Sequence, residues 1–181
     1  MSLPVPMLNI MNGGCHANNN VDIQEFMIIP SNKFNFKDGL MKSVEVYTNL
    51  KSLLKEKGLS VSVGDEGGFA PNLKTSEEVL DLIILSIERT GLIYLDDISI
   101  ALDCAASELF SKDSYKLIGE NRKFSSEEMI VYMQSLVDKY KIKSVEDPFD
   151  EKDWDAWKTF TKNNKDLQIV GDDIFVTQEK I

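Results

Sequence analysis

Short apolar runs and amphipathic periodic stretches alternate along this chain. Ile98-Ser-Ile-Ala-Leu102 is an almost unbroken apolar run that ends on a carboxylate, Asp103. Such a run predicts a strand covered on both faces, as in a parallel sheet with helices outside. The pattern returns in Ile142-Lys-Ser-Val, which ends on Glu146, and in Leu167-Gln-Ile-Val-Gly, which ends on Asp172. Helical stretches stand between these strands. Over Lys37 to Lys57, Leu40, Val44, Tyr47, Leu50 and Leu54 recur at helical spacing as one apolar stripe, and Gly58 occupies a C-cap position. Thr75-Ser-Glu-Glu78 and Ser125-Ser-Glu-Glu128 read as capping boxes. The first opens a helix with Val79, Leu80, Ile83, Ile84 and Ile87 inward, closed by Gly91; the second opens one with Met129, Ile130, Met133, Leu136 and Val137 inward. A further helix is expected from about Asp153 to Asn163.

The chain opens differently. Residues 1–12 predict an extended strand with Pro4 and Pro6 near its start, where a ladder donor is least needed. A turn at Asn12-Gly-Gly14 and a polar loop from His16 to Asn20 lead into a second strand, Val21 to Pro30. So short a connection makes these two strands antiparallel. Ser60 to Val63 reads as a short strand-like piece before the glycine-rich loop Gly64–Asn72. Ser107 to Phe124 reads as a hairpin around Tyr115-Lys-Leu117, and Val176 to Ile181 as the start of another connection.

Helices alternating with strands predict an α/β fold, either a βα barrel or an open sheet. No linker or repeat interrupts the 181 residues, so one domain is expected over 1–181, with Met1-Ser-Leu3 an added start. A closed eight-stranded barrel takes about 250 residues, so only part of one is expected. The net charge of −10 argues against a nucleic-acid partner. Cys15 and Cys104 lack zinc-type spacing and fit a reducing compartment, the cytoplasm. A single histidine, His16, excludes a His-rich zinc site. Neither a signal peptide nor an apolar run of membrane-spanning length is evident.

Each acid alone is an ordinary residue where a strand meets a loop. Three successive strand ends, however, aim Asp103, Glu146 and Asp172 at one point. Carboxylates at close range repel, so the cluster implies a divalent cation, most naturally Mg²⁺.

Six stretches, in order, carry a closer likeness: Pro6-Met-Leu-Asn-Ile-Met-Asn-Gly-Gly-Cys-His-Ala17, Asp22-Ile-Gln-Glu-Phe-Met27, Val63-Gly-Asp-Glu-Gly-Gly-Phe-Ala-Pro-Asn72, Ala101-Leu-Asp-Cys-Ala-Ala-Ser-Glu108, Ser144-Val-Glu-Asp-Pro-Phe-Asp150 and Val170-Gly-Asp-Asp-Ile-Phe-Val-Thr177. From Leu3 onward the chain resembles the central part of the enolase family, the first part of its C-terminal barrel. The resemblance implies that Asp103, Glu146 and Asp172 hold a Mg²⁺ that binds the substrate carboxylate. Alternation along the strand would turn Asp173 away. It implies that Glu66 is the general acid, that Glu25 binds substrate and supports Glu66, and that Gln24 neighbours them. His16 would sit on a mobile loop that closes on substrate, hinged at Gly13 and Gly14. By residue type alone, Gly64–Gly68 reads as a turn, Glu25 as an outward strand residue and His16 as solvated. The implied reaction is the dehydration of 2-phosphoglycerate to phosphoenolpyruvate in glycolysis, by a homodimer. The resemblance places the lysine base and the phosphate-binding residues beyond Ile181, and an N-terminal domain before Leu3. The chain alone is therefore expected to be inactive and self-associating, with an inactive metal-binding or interaction module as the alternative.

Overall fold

The computed structural model describes residues 3–178; Met1, Ser2 and residues 179–181, parts of the expected first strand and last connection, lie outside the described residues. In chain order the elements are β1 (Leu8–Asn12), β2 (Glu25–Pro30), α1 (Phe36–Glu56), α2 (Ser76–Arg89), β3 (Ile98–Asp103), β4 (Tyr115–Leu117), β5 (Arg122–Phe124), α3 (Ser126–Tyr140), β6 (Ser144–Glu146), α4 (Trp154–Asn163) and β7 (Gln168–Val170). Five strands form one sheet in the order β1-β2-β3-β6-β7, and β4-β5 is the expected hairpin. The β1-β2 and β2-β3 pairs are antiparallel; β3-β6 and β6-β7 are parallel. The sheet does not close. It is a partial α/β barrel whose first two strands are antiparallel.

The two faces of the sheet differ in chemistry. In register, Phe26, Leu102, Val145 and Ile169 share one face, with Ile28 and Ile100 beside them. Phe26, Ile28, Ile100, Leu102 and Val145 are fully buried. They join one core with Val46, Leu50 and Leu53 of α1, Leu80 and Ile83 of α2, Met133 and Leu136 of α3, and Phe160 of α4. Each such side chain contributes about 1.5–3 kcal/mol by burial. The opposite face carries Glu25 and Met27, then Ala101 and Asp103, then Ser144 and Glu146, then Gln168 and Val170. These residues are mostly small or polar.

Helix starts follow the capping signals in part. Ser125 and Glu128 complete a reciprocal box. At α2 only half forms: Thr75 accepts from the Glu78 N–H, but the Glu78 carboxylate accepts from Lys74 instead. The stripe on α1 needs a larger correction. Leu50 and Leu54 are buried, yet Leu40 and Val44 are exposed, and Gly39, Ser43 and Val46 face inward. The cause is the close approach of α1 to Pro30. A Cβ on Gly39 would stand 3.1 Å from the Pro30 ring, so only small residues fit there and the larger ones turn outward.

Residues 60–63 form no strand; Val63 makes a single bridge to Phe69. The loop itself guards the outer edge of β1. The Phe69 N–H donates to the Ile10 carbonyl at 2.9 Å, and the Asn12 N–H donates to the Phe69 carbonyl at 2.9 Å. At the other end of the sheet, β7 has no further strand partner among the described residues. No helix among the described residues is long and apolar enough to cross a membrane.

Candidate active site

Strand register builds the site. Glu25 lies opposite Asp103, and Asp103 opposite Glu146, on three adjacent strands. Residues in register point to the same side, so three carboxylates stand in a row at one end of the sheet. β2 runs antiparallel to its neighbours, so Glu25 reaches this row from the start of its strand. The row opens into a cavity of about 440 Å³ that also takes in His16, Gln24, Glu66, Asp172 and Asp173. Glu108 completes a set of seven lining carboxylates, and among the described residues no lysine or arginine lines this cavity.

The glycine-rich loop delivers Glu66. It is tied to the β1 end by Asn12, which is 1% exposed and whose Oδ1 accepts the Gly68 N–H at 2.9 Å. Gly68 has to be glycine, because a Cβ would stand 2.9 Å from backbone atoms of Met11. The Asp65 N–H donates to the His16 carbonyl at 3.0 Å, joining this loop to the short 3-10 turn Gly14–His16. Glu66 accepts from Asn9 Nδ2 at 3.1 Å, and His16 Nδ1 stands 3.3 Å from it. Side-chain atoms of His16, Glu25 and Glu66 lie within 4.8 Å of one another.

The electrostatics divide the acids. Burial, then the facing Glu66, pushes Glu25 up to about 9. Glu66 moves the other way, below the usual carboxylate range, because it accepts a hydrogen bond from Glu25 and is further helped by His16 and Asn9. The surroundings favour a proton on Glu25, the more deeply buried partner. Burial pushes Asp103 up to about 6, against hydrogen bonds from the Ala105 N–H and Gln24. Burial and the charges of Asp103, Asp147 and Asp172 push Glu146 up to about 7. Among the described residues, Asp103 and Glu146 have no lysine or arginine partner.

Asp103 and Glu146 converge as expected, with atoms within 4.8 Å of each other and of Asp147. Asp172 lines the same cavity but stands outside that tight group. Asp173 also faces the cavity, although alternation would turn it away. β7 ends at Val170 and residues 172–177 are turns, so strand alternation does not reach this far. The donors are all carboxylate oxygens, a hard set that suits Mg²⁺ rather than zinc. Asp147, Glu108 and Cys15 carry no expectation from sequence. Cys15 Sγ donates to Glu108 at 3.4 Å on the cavity wall. Asp147 had a signal in the Asp147-Pro148 pair, a common way to start a turn.

A carboxylate row at the mouth of a partial α/β barrel, with His16 beside Glu66 and no lysine or arginine in the lining among the described residues, defines a barrel-type domain with an acidic site. Comparison with known proteins narrows the class to one. The chain belongs to the enolase family: the family described as "Enolase, C-terminal TIM barrel domain" matches residues 1–181. Proteins named enolase from Legionella pneumophila strains Corby, Paris and Philadelphia 1 are each 51% identical to it over 183 aligned residues, covering 100% of this chain and 43% of the relative. The chain thus spans 43% of the length of these curated relatives.

Proposed function

We propose that this chain carries the acid half and one cation site of an enolase, and that the whole protein dehydrates 2-phosphoglycerate to phosphoenolpyruvate. The observation that carries the reading is the in-register row of Glu25, Asp103 and Glu146 facing Glu66 across a cavity with no lysine or arginine lining it among the described residues. Asp103, Glu146 and Asp172 would hold Mg²⁺. Bound there, the ion supplies positive charge to the substrate carboxylate as negative charge builds during proton removal. Glu25 and Glu66 hold one proton between them, next to where a β-hydroxyl would leave. A carboxylic acid in that place protonates the leaving group. Gln24 orients Asp103, and His16 closes the far wall beside Glu66. Two free cysteines agree with a reducing, cytoplasmic setting.

The base is the missing element. No lysine lines the cavity among the described residues, so none of them supplies a lysine base to take the α-proton. A general base typically contributes 10²–10⁴-fold. The chain alone is therefore a cation-binding module that produces no phosphoenolpyruvate by absorbance. Calorimetric titration with Mg²⁺ tests the site itself. Asp103→Asn is expected to weaken binding at least tenfold, and equal affinity in the two proteins removes the cation role from this row.

A further inference from the structure

Asp147 is 2% exposed and stands next to Glu146, yet nothing in the chemistry above uses it. Its backbone and side chain join three loops. Its carbonyl accepts the Ala106 N–H at 3.0 Å, in the segment that follows β3. Its N–H donates to the Val170 carbonyl, the last residue of β7, at 3.1 Å. Its carboxylate accepts from two consecutive backbone N–H groups beyond β7: Asp172 at 3.2 Å to each oxygen, and Asp173 at 2.8 Å. To make these contacts Asp147 adopts a φ of +40, a left-handed conformation that L-residues seldom take. Asp147 holds that backbone while both carboxylate oxygens accept from neighbouring amides.

We propose that Asp147 is a positioning residue for the cation site. It does not serve as a ligand; it clamps the turn after β7 so that Asp172 faces Asp103 and Glu146. Separation alone would group Asp147 with Asp103 and Glu146; its hydrogen bonds set it apart from a ligand. Both oxygens are engaged by backbone donors, whereas the Asp172 carboxylate, which lines the same cavity, accepts no hydrogen bond among the described residues. β7 ends two residues before Asp172, so the sheet ladder does not orient that side chain. The Asp147 carboxylate supplies the missing constraint. An asparagine would present an NH₂ to one of these N–H donors and lose the clamp at nearly unchanged volume.

The proposal rests on the reading of Asp103, Glu146 and Asp172 as a Mg²⁺ site, and two measurements separate their fates. The first needs no metal and no substitution. Hydrogen exchange of the metal-free chain is expected to show the Asp172 and Asp173 amides protected relative to the Thr177 amide, which donates no hydrogen bond among the described residues; exchange as fast as that of Thr177 overturns the clamp, whatever binds. The second is a double-substitution cycle in Mg²⁺ titration. Asp147→Asn and Asp172→Asn are each expected to weaken Mg²⁺ about 10–100-fold, the usual effect of losing a residue that orients a ligand or the ligand itself. The double variant is expected to bind no more weakly than Asp172→Asn alone. Multiplying losses would make Asp147 an independent ligand and overturn the positioning role. Absence of Mg²⁺ binding by the unsubstituted chain would count against the cation site and leave the exchange result to decide the clamp.

Discussion

At the scale of single residues, one proton is the main feature. Glu25 and Glu66 face each other, and the surroundings favour the proton on Glu25: it is the more buried, while Asn9 and His16 stabilise charge on Glu66. Glu66→Gln removes the charge that Glu25 faces and offers it a donor. The Glu25 titration is then expected to fall from about 9 toward the ordinary carboxylate range, followed by the NMR shift of its side-chain carboxyl carbon. No movement would mean that burial alone sets the value. Residue identity named the acids here, but the direction of the proton was not legible. It depends on depth of burial and on Asn9, which comes from a different strand. Asp147 was hidden for a related reason. Its role is carried by backbone donors 25 and 26 positions later, and no local pattern signals such a partner.

At the scale of elements, the parallel and antiparallel ladders bring like charges together, and that has a cost visible against pH. An unfolded carboxylate titrates near 4, whereas Asp103 and Glu146 in the folded chain are pushed up to about 6 and about 7. Between about pH 4 and 7 the folded chain therefore holds more protons than the unfolded one. The associated stability is fully present below about 4 and is lost as pH rises through 6–7. The metal-free chain is thus expected to melt at a lower temperature at pH 8 than at pH 5, and Mg²⁺ at pH 8 to recover the difference. Asp103→Asn is expected to flatten the slope and abolish the Mg²⁺ gain; thermal melts across pH check both. Most elements were readable because strands ending on acids and capped helix starts are local signals. The inward face of α1 was not, because Leu40 and Val44 fit the helical period as well as the true core positions do. Contact with Pro30, from a different element, decides between them.

At the scale of the whole molecule, the sheet is open, and its two edges are unlike. The β1 edge is guarded by Phe69, while the outer edge of β7 has no strand partner among the described residues. An unpaired edge pairs readily with another chain. Light scattering at micromolar concentration is expected to give a mass above the 20.5 kDa of one chain, and a monodisperse monomer would contradict this. Charge acts in the opposite direction, since a net −10 opposes close approach of copies. Added salt is therefore expected to promote the association.

The backbone bond from Asp65 to the His16 carbonyl couples two parts of the site that chemistry treats as separate. Residues 14–16 bear the histidine, and residues 64–68 bear Glu66. While that bond holds, the two segments travel together. A substitution that displaces residues 14–16 is therefore expected to shift the Glu66 carboxylate relative to Glu25 as well.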